Sequence, residues 1–402
     1  MVYTVDVLDD GAPLAWSLGG TVESPEWTTN PQTAYEPTLY AIAREGMQAA
    51  EPDREACATA LGELADTLAD HPGVVDQQLA HRQPGYRFAE QPVLAVAVDQ
   101  LRRVRSVAEY IEQQGPPGQV PFRAFDVDLS PEFRVCLDQG LDPVPSRPLR
   151  VFGLGLSRAA AAEEDLGQLR VGTDVVAGPD AVAEAMGRLE SVEADEETVL
   201  ETLRDRLATL DPDALVVERG EIVPLVADRA AELDLDLGLQ RVPAGYDSED
   251  VPAYQQLAGD STFESYGQRH HSPARYNVPG RMLIDRSNTF FLGETNLAGC
   301  LDLVDRSGKP LQELSWASIG NVLTAIQIRE ARWRDVLVQW RAWRPERFKS
   351  ARQLHAGDRG GTTLSPDVGF HEEVYELDFA SLYPNIICQH NLSPETVRCR
   401  CC

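Results

Sequence analysis

The chain has 402 residues, long enough for two or three domains, and 43% of them are hydrophobic, an ordinary share for a soluble globular protein. No run of eighteen apolar residues occurs, and the start, "MVYTVDVLDDG", lacks the basic opening and apolar core of a signal peptide, so no membrane partner and a cytoplasmic location are expected. A net charge of −28 and a pI near 4.6 argue at first sight against an ordinary nucleic-acid binder with a basic face.

The acidity is spread along the chain and not confined to a tail. Only Lys309 and Lys349 are lysines; the other basic residues are arginine. That balance suggests a salt-adapted protein, because charge repulsion is screened within about 3 Å at roughly 1 M salt. In such a medium counterion release contributes little, and local charge says more than net charge. The seven cysteines are odd in number and follow no secretion signal, so a disulfide framework is not expected. Cys399, Cys401 and Cys402 form C-x-C-C, which is not a metal knuckle, and no His follows.

Residues 1–145 mix short strand-like runs with helix. "EPDREACATALGELADTLADHP" (51–72) carries acidic residues in its first turn, apolar residues at helical spacing and a Pro just after. Residues 92–131 predict an apolar strand, a helix, a Pro/Gly-rich turn and an alternating strand. "GLDPVPSRP" (140–148) has the composition of a linker. From "LRVFGLGLS" (149–157) strands and helices alternate: a buried strand, helices around 179–190 and 195–209, the strand "DPDALVV" (211–217) and a helix at 223–234. This pattern predicts a mixed sheet covered by helices. The stretch 240–280 is polar with scattered Pro and Gly, and is expected to be a loop or lid.

From Leu314 to Trp343 the pattern predicts continuous helix. Ile319, Val322, Leu323, Ile326, Trp333, Leu337 and Trp340 recur at three- and four-residue steps as one apolar stripe. Arg329, Arg332, Arg334, Arg341 and Arg344 stand on the other side, followed by Arg347 and Lys349. Residues 329–349 hold seven basic and three acidic groups, so they are locally +4. Either this is a solvated helix face or it is a strip that faces phosphates.

"EEVYELDF" (372–379) predicts a short strand, and "SLYPNII" (381–387) a turn opening a helix, with Pro384 in its first turn. Asp378 then sits at a strand's carboxyl end, where a carboxylate can reach a cation. Mg²⁺ takes one or two carboxylates plus water and phosphate oxygens. Backbone N–H groups of the following turn suit a triphosphate. Tyr383 is placed to stack under a sugar. Taken alone, an Asp after a strand is most often a cap or turn residue.

The whole string changes that. "LDFASLYPNIICQHNLSPETV" resembles the first palm motif of the archaeal-type family B DNA polymerases, with Asn385 in place of the usual Ser. "SGKPLQELSWASIGNVLTAIQIREA" (307–331) resembles the helix joining that family's exonuclease domain to its palm, and "FDVDLSPEFRVCLDQGL" (125–141) the end of its N-terminal domain. The resemblance implies a mixed α/β chain in four parts: an N-terminal domain (1–147), an RNase H-like exonuclease-type domain (148–306), a helical connector (307–370) and the start of a palm (371–402). It implies that Asp378 is one of two carboxylates holding two Mg²⁺ ions, and that the Phe379 carbonyl binds one of them. The backbone of Ser381 and Leu382 would hold the incoming deoxynucleoside triphosphate, and Tyr383 would exclude a ribose 2′-OH. Arg332, Arg341 and Arg344 would line the path of the DNA primer-template. Gly360 and Gly361 resemble paired glycines that let backbone approach the template, although Asp358 stands where the family has Tyr.

Two departures matter. The family's exonuclease carries D-x-E on its first strand, where this chain has Gly155 and Ser157. The second motif should fall in "VVERGEIVP" (216–224), which lacks its Asn and final Asp, and the third is expected to be lost between Asp285 and Lys309. Metal-dependent hydrolysis without carboxylates cannot hold its ions. The finger helix (K-x-x-x-N-S-x-Y-G) and second carboxylate strand (Y-x-D-T-D) do not occur in these 402 residues. The expectation is the N-terminal part of a DNA-directed DNA polymerase, a truncated or split gene product or a partial record, active only when joined to or complemented by a chain bearing the missing motifs. The alternative is a non-catalytic DNA-binding or assembly protein derived from such an enzyme; a nuclease is disfavoured by Gly155 and Ser157.

Overall fold

The structure, a computed structural model, describes residues 2–8, 11–31, 35–44, 53–86, 88–115, 121–192, 194–265, 267–341, 350–357 and 364–392. The chain opens with a three-stranded antiparallel sheet: β1 (Val2–Val7), β2 (Pro13–Gly20) and β3 (Pro25–Pro31). Next come β4 (Thr38–Ala43), a helix (Arg54–Leu68), β5 (Val74–Arg82), β6 (Gln91–Val98), a helix (Val104–Gln113) and β7 (Phe122–Phe125). They form an antiparallel sheet in the order β5-β6-β4-β7, the ferredoxin-like βαββαβ arrangement. The 51–72 pattern thus forms its helix. Asp53 caps it, accepting hydrogen bonds from the backbone N–H groups of Glu55 and Ala56, each at 3.1 Å. Leu61, Leu64 and Leu68 from that helix, and Val104, Val107 and Ile111 from the second, meet Leu39, Leu94, Val96 and Val98 in one core.

A third sheet follows a helix at Pro131–Gln139. Its strands are β8 (Val151–Gly155), β9 (Arg170–Gly172), β10 (Leu189–Ser191), β11 (Ala214–Val217) and, after an excursion described below, β16 (Met282–Asp285). The order β10-β9-β8-β11-β16, with β8, β11 and β16 parallel and β9 and β10 antiparallel, is that of an RNase H-like sheet. Helices cover both faces. Val151, Ala214, Val216, Met282 and Ile284 face one core, shared with Ala181 and Ala185 and with Cys300, Val304, Leu311 and Leu314. Phe152, Leu154, Leu215, Val217 and Leu283 face the other, with Val199, Leu203, Leu207, Val223 and Val226. Tyr3, Leu14, Trp16 and Leu18 of the opening sheet also enter the first core, so the two sheets share one interior.

Three regions differ from expectation. Residues 240–280 contain a nested antiparallel ribbon: β12 (Gln255–Ala258) pairs with β15 (Arg275–Asn277), and β13 (Ser261–Ser265) with β14 (Gln268–Ser272). Thr262, Glu264, Arg269 and His271 alternate along β13 and β14, so no apolar alternation marks these strands. The continuous helix expected over 314–343 is broken. It forms as Leu311–Ser315 and Ile319–Trp333, and ends where Asp335 turns left-handed (φ 55°). Val322 and Ala325 are buried, whereas Ile319, Leu323 and Trp333 are exposed; Leu337 is buried beyond the helix. Val336–Gln339 run extended along the N-terminal domain, bridging Gln83 and Phe125. The strand expected over 372–379 does not pair, and those residues are exposed. A strand needs a neighbour for its hydrogen bonds, and no described strand lies beside it.

Gly280 shows how tightly the two sheets meet. Its φ is +76°, and a Cβ there would stand 2.5 Å from Arg241 Cβ and 2.8 Å from the Trp16 ring. Gly280→Ala is expected to cost about 1–3 kcal/mol from strain and overpacking combined. Thermal unfolding checks this, and an unchanged midpoint would show that the junction yields.

Candidate functional site

The Asp378 segment is a turn from extended chain into helix. Residues 374–379 form no regular element, and Ser381 adopts the left-handed region (φ 50°). The helix Leu382–His390 follows, with Pro384 in its first turn as expected. Asn385 fastens the turn: its side-chain amide donates to Ala380 O at 2.9 Å, and its backbone N–H to Ser381 O at 3.0 Å. The position at which the sequence departs from the family pattern therefore carries a local hydrogen bond. Asn391, left-handed at φ 50°, ends the helix, and the Leu392 N–H closes on Ile387 O at 2.9 Å.

Asp378, Phe379, Ser381, Leu382 and Tyr383 thus stand together on one exposed turn. Asp378 Oδ1 accepts from the Phe379 N–H at 2.8 Å. The donors a Mg²⁺ would meet here are hard oxygens, a carboxylate and a backbone carbonyl, which suit the ion in kind. They do not suffice in number: among the described residues no group of three His, Cys, Asp or Glu is placed to hold a metal.

The arginine strip is engaged elsewhere. Arg332 bridges Asp126 and Asp138 of the N-terminal domain, the latter at 2.5 Å. Burial works against its charge, but Asp126 and Asp138 outweigh it and hold the guanidinium pKa above its usual value. Asp126 is fully buried and also accepts from the Val338 N–H at 2.6 Å, so it fixes the chain just after the helix. Arg329 pairs with Asp142 at 2.6 Å and lies over the Trp333 ring. Arg334 pairs with Glu330. Arg341 pairs with Glu109 at 3.1 Å and stacks on Trp340 at 3.8 Å. Arg344, Gly360, Gly361 and Asp358 lie outside the described residues, as do Cys399, Cys401 and Cys402. A cavity of about 320 Å³ between Tyr40, Arg82, Leu141, Arg332 and Leu337 marks where helix and N-terminal domain meet.

At the RNase H-like sheet, Gly155 closes β8 and Ser157 caps the short helix Arg158–Ala162, accepting from the Ala160 N–H at 3.1 Å. Glu218 follows β11 and pairs with Arg170. Asp285 ends β16; burial pushes its carboxyl up, against hydrogen bonds from Ser287. Nothing in the sequence pointed to Arg170, since a lone arginine in "GQLRVG" belongs to no motif.

The chain thus combines a ferredoxin-like sheet, an RNase H-like sheet and a helical segment leading to a D-F-x-S-L-Y-P turn. Residues 326–401 match the sequence model of the family described as DNA polymerase family B. "DNA polymerase 2" of Saccharolobus solfataricus is 36% identical over 88 residues, 22% of this chain and 14% of that protein. "DNA polymerase 2" of Aeropyrum pernix is 33% identical over 132 residues, 33% of this chain and 15% of that protein. The solved family B DNA polymerase of Pyrobaculum calidifontis superposes with a TM-score of 0.59 at 19% identity, over 98% of this chain and 56% of that one. The chain therefore spans little more than half of that structure, and its matched stretches about one seventh of the two relatives. Over these stretches the chain is similar to archaeal family B DNA polymerases, and its fold is similar to a little more than half of one of them.

Proposed function

We propose that this chain is the N-terminal part of a DNA-directed DNA polymerase that binds a primer-template and deoxynucleoside triphosphates. The observation that carries the reading is the family match across 326–401, which includes the Asp378 turn. The parts run 1–147, 148–306, 307–370 and 371–402. In this reading Asp378 supplies one metal carboxylate and Phe379 a carbonyl. The N–H groups of the Ser381–Leu382 turn receive triphosphate oxygens, and the Tyr383 ring underlies the sugar. Mg²⁺, if held by the Asp378 carboxylate and the Phe379 carbonyl, would supply Lewis-acid stabilisation of charge on phosphate oxygens. The second carboxylate and the finger cations are not among these 402 residues and would come from the rest of such a polymerase, on this chain or a complementing one. The salt-adapted reading of the composition accompanies this proposal. Primer extension with such a chain, comparing wild type with an Asp378 variant, tests it.

The exonuclease-like domain keeps the fold without the hydrolysis. No Mg²⁺- or Mn²⁺-dependent 3′–5′ digestion of single-stranded DNA is expected, because positions 155 and 157 offer no carboxylate. Release of labelled nucleotides in high salt is the assay. Digestion that survives purification and disappears on mutation of Glu218 or Asp285 would contradict this.

Arg341 is the described strip residue best suited to report DNA contact, because Arg332 is built into the domain junction and its loss would act on the fold. Arg341→Gln should weaken DNA binding equally for all sequences, since phosphate contacts carry no code. It should lower the salt slope by about one. Unchanged affinity and slope would leave Arg341 as a partner of Glu109 and Glu112 alone.

A further inference from the structure

Three parallel strands end side by side at one edge of the RNase H-like sheet. Leu154 of β8 is in register with Val217 of β11, and Val217 with Asp285 of β16. Gly155 and Glu218 therefore occupy the next row, one residue beyond Asp285, whose side chain by strand alternation leaves the sheet on the opposite face. The carboxyl ends of parallel strands are where open α/β sheets receive ligands. The divalent ions that an exonuclease of this fold would hold do not fit what stands here. Glu218 and Asp285 are the acidic residues at the three strand ends, and no metal-competent group of three occurs among the described residues.

Another cation is already present. Arg170 on β9 is paired in register with Gly155, and its guanidinium reaches over the strand ends to Glu218. A Cβ at position 155 would lie 3.0 Å from Arg170 Nη2, 3.3 Å from its Cζ and 2.7 Å from Leu189 Cδ1. Gly155 has ordinary backbone angles, so its lack of a side chain is a matter of room: Arg170 and Leu189 fill the space into which an aspartate would project.

We infer that the Arg170 guanidinium is a built-in cation that takes the place of a divalent ion at the ends of β8 and β11, neutralising Glu218 and closing the cleft to metal. This rests on the reading that hydrolysis is lost, and it adds a cause beyond the missing carboxylates. The internal charge competes with any metal for Glu218, and an organic cation one strand away cannot be diluted out.

The test is Mn²⁺ binding to the full chain, read by electron paramagnetic resonance in molar KCl, which screens the acidic surface. Arg170→Ala should gain weak, largely water-completed Mn²⁺ binding at this edge, on the order of tenfold above wild type, because a carboxylate freed of its partner becomes a hard-oxygen ligand. Arg170→Gln should gain it too, and serves if the alanine variant folds poorly. Arg170→Lys should not, since it keeps a cation. Adding Glu218→Gln to Arg170→Ala should abolish the gain. If the Ala and Gln variants bind Mn²⁺ no more tightly than wild type, the inference is overturned, and the loss of hydrolysis stands or falls separately on the digestion assay. If wild type already binds Mn²⁺ and Glu218→Gln removes it, both fall.

Discussion

Asp213→Ala is expected to lower the stability of the chain by about 3–5 kcal/mol, the range for breaking a buried ion pair and leaving its partner charged. Asp213 is 0% exposed and directly precedes β11, the strand between β8 and β16 in the RNase H-like sheet. Its carboxylate accepts from Arg147 Nη1 at 2.5 Å and Nη2 at 3.1 Å, from Arg241 Nη2 at 3.1 Å and from the Arg150 N–H at 2.9 Å. Arg147 also donates to Gly19 O of the opening sheet, and Arg241 to the Tyr3 hydroxyl, so one carboxylate joins the N-terminal strands to the RNase H-like core. The neighbourhood is crowded with positive charge. Burial and the adjacent Arg241 push Arg281 down to about 10, and burial pushes the Tyr3 hydroxyl up to about 12. Removing Asp213 takes from Arg147 its carboxylate and leaves Arg241 with Asp211 as its acidic partner among the described residues. Asp213→Asn should cost less, because it keeps an acceptor for the Arg150 N–H. Chemical denaturation with both variants checks this, and a loss below about 1 kcal/mol in the alanine variant would mean that packing, not the ion network, holds the sheets together.

The elements that were legible are those whose burial is simple. "LRVFGLGLS" and "DPDALVV" are short apolar runs, and they form the central strands because both faces of their sheet are covered. The helices at 54–68 and 196–210 are legible from their apolar period, and in the structure Asp53 and Asp195 cap them. The 255–277 ribbon was hidden because its strands carry no apolar face. The stripe over 314–343 misled because Leu337 and Trp340 are apolar for a different reason. They pack on the N-terminal domain from an extended segment that happens to keep the spacing of the helix before it. The Arg332 bridge was equally out of reach, since its partners Asp126 and Asp138 lie 206 and 194 residues away along the chain. At the Asp378 turn the reverse holds: the turn and helix were legible from Pro384 and the apolar run, and residues 378–383 are contiguous. The strand before it was overestimated, because alternation predicts a strand only where another strand accepts its hydrogen bonds.

Asp378→Asn carries the other large effect. The substitution removes a single negative charge from an exposed turn. It keeps an oxygen for the Phe379 N–H and creates no cavity, so stability should change by less than about 0.5 kcal/mol. Activity is another matter. A metal carboxylate acts through the cation it holds, which stabilises charge that develops in the transition state, and losing such stabilisation costs on the order of 10³-fold in rate. The measurement is primer extension on a primed template by this chain mixed with one that supplies the finger helix and the second carboxylate strand. The expected result is incorporation by the wild-type mixture, none by this chain alone, and a loss of about three orders of magnitude with Asp378→Asn at unchanged folding and DNA binding. A mixture in which the Asp378→Asn chain extends the primer as well as wild type does would contradict the assignment of this turn as a polymerase metal site.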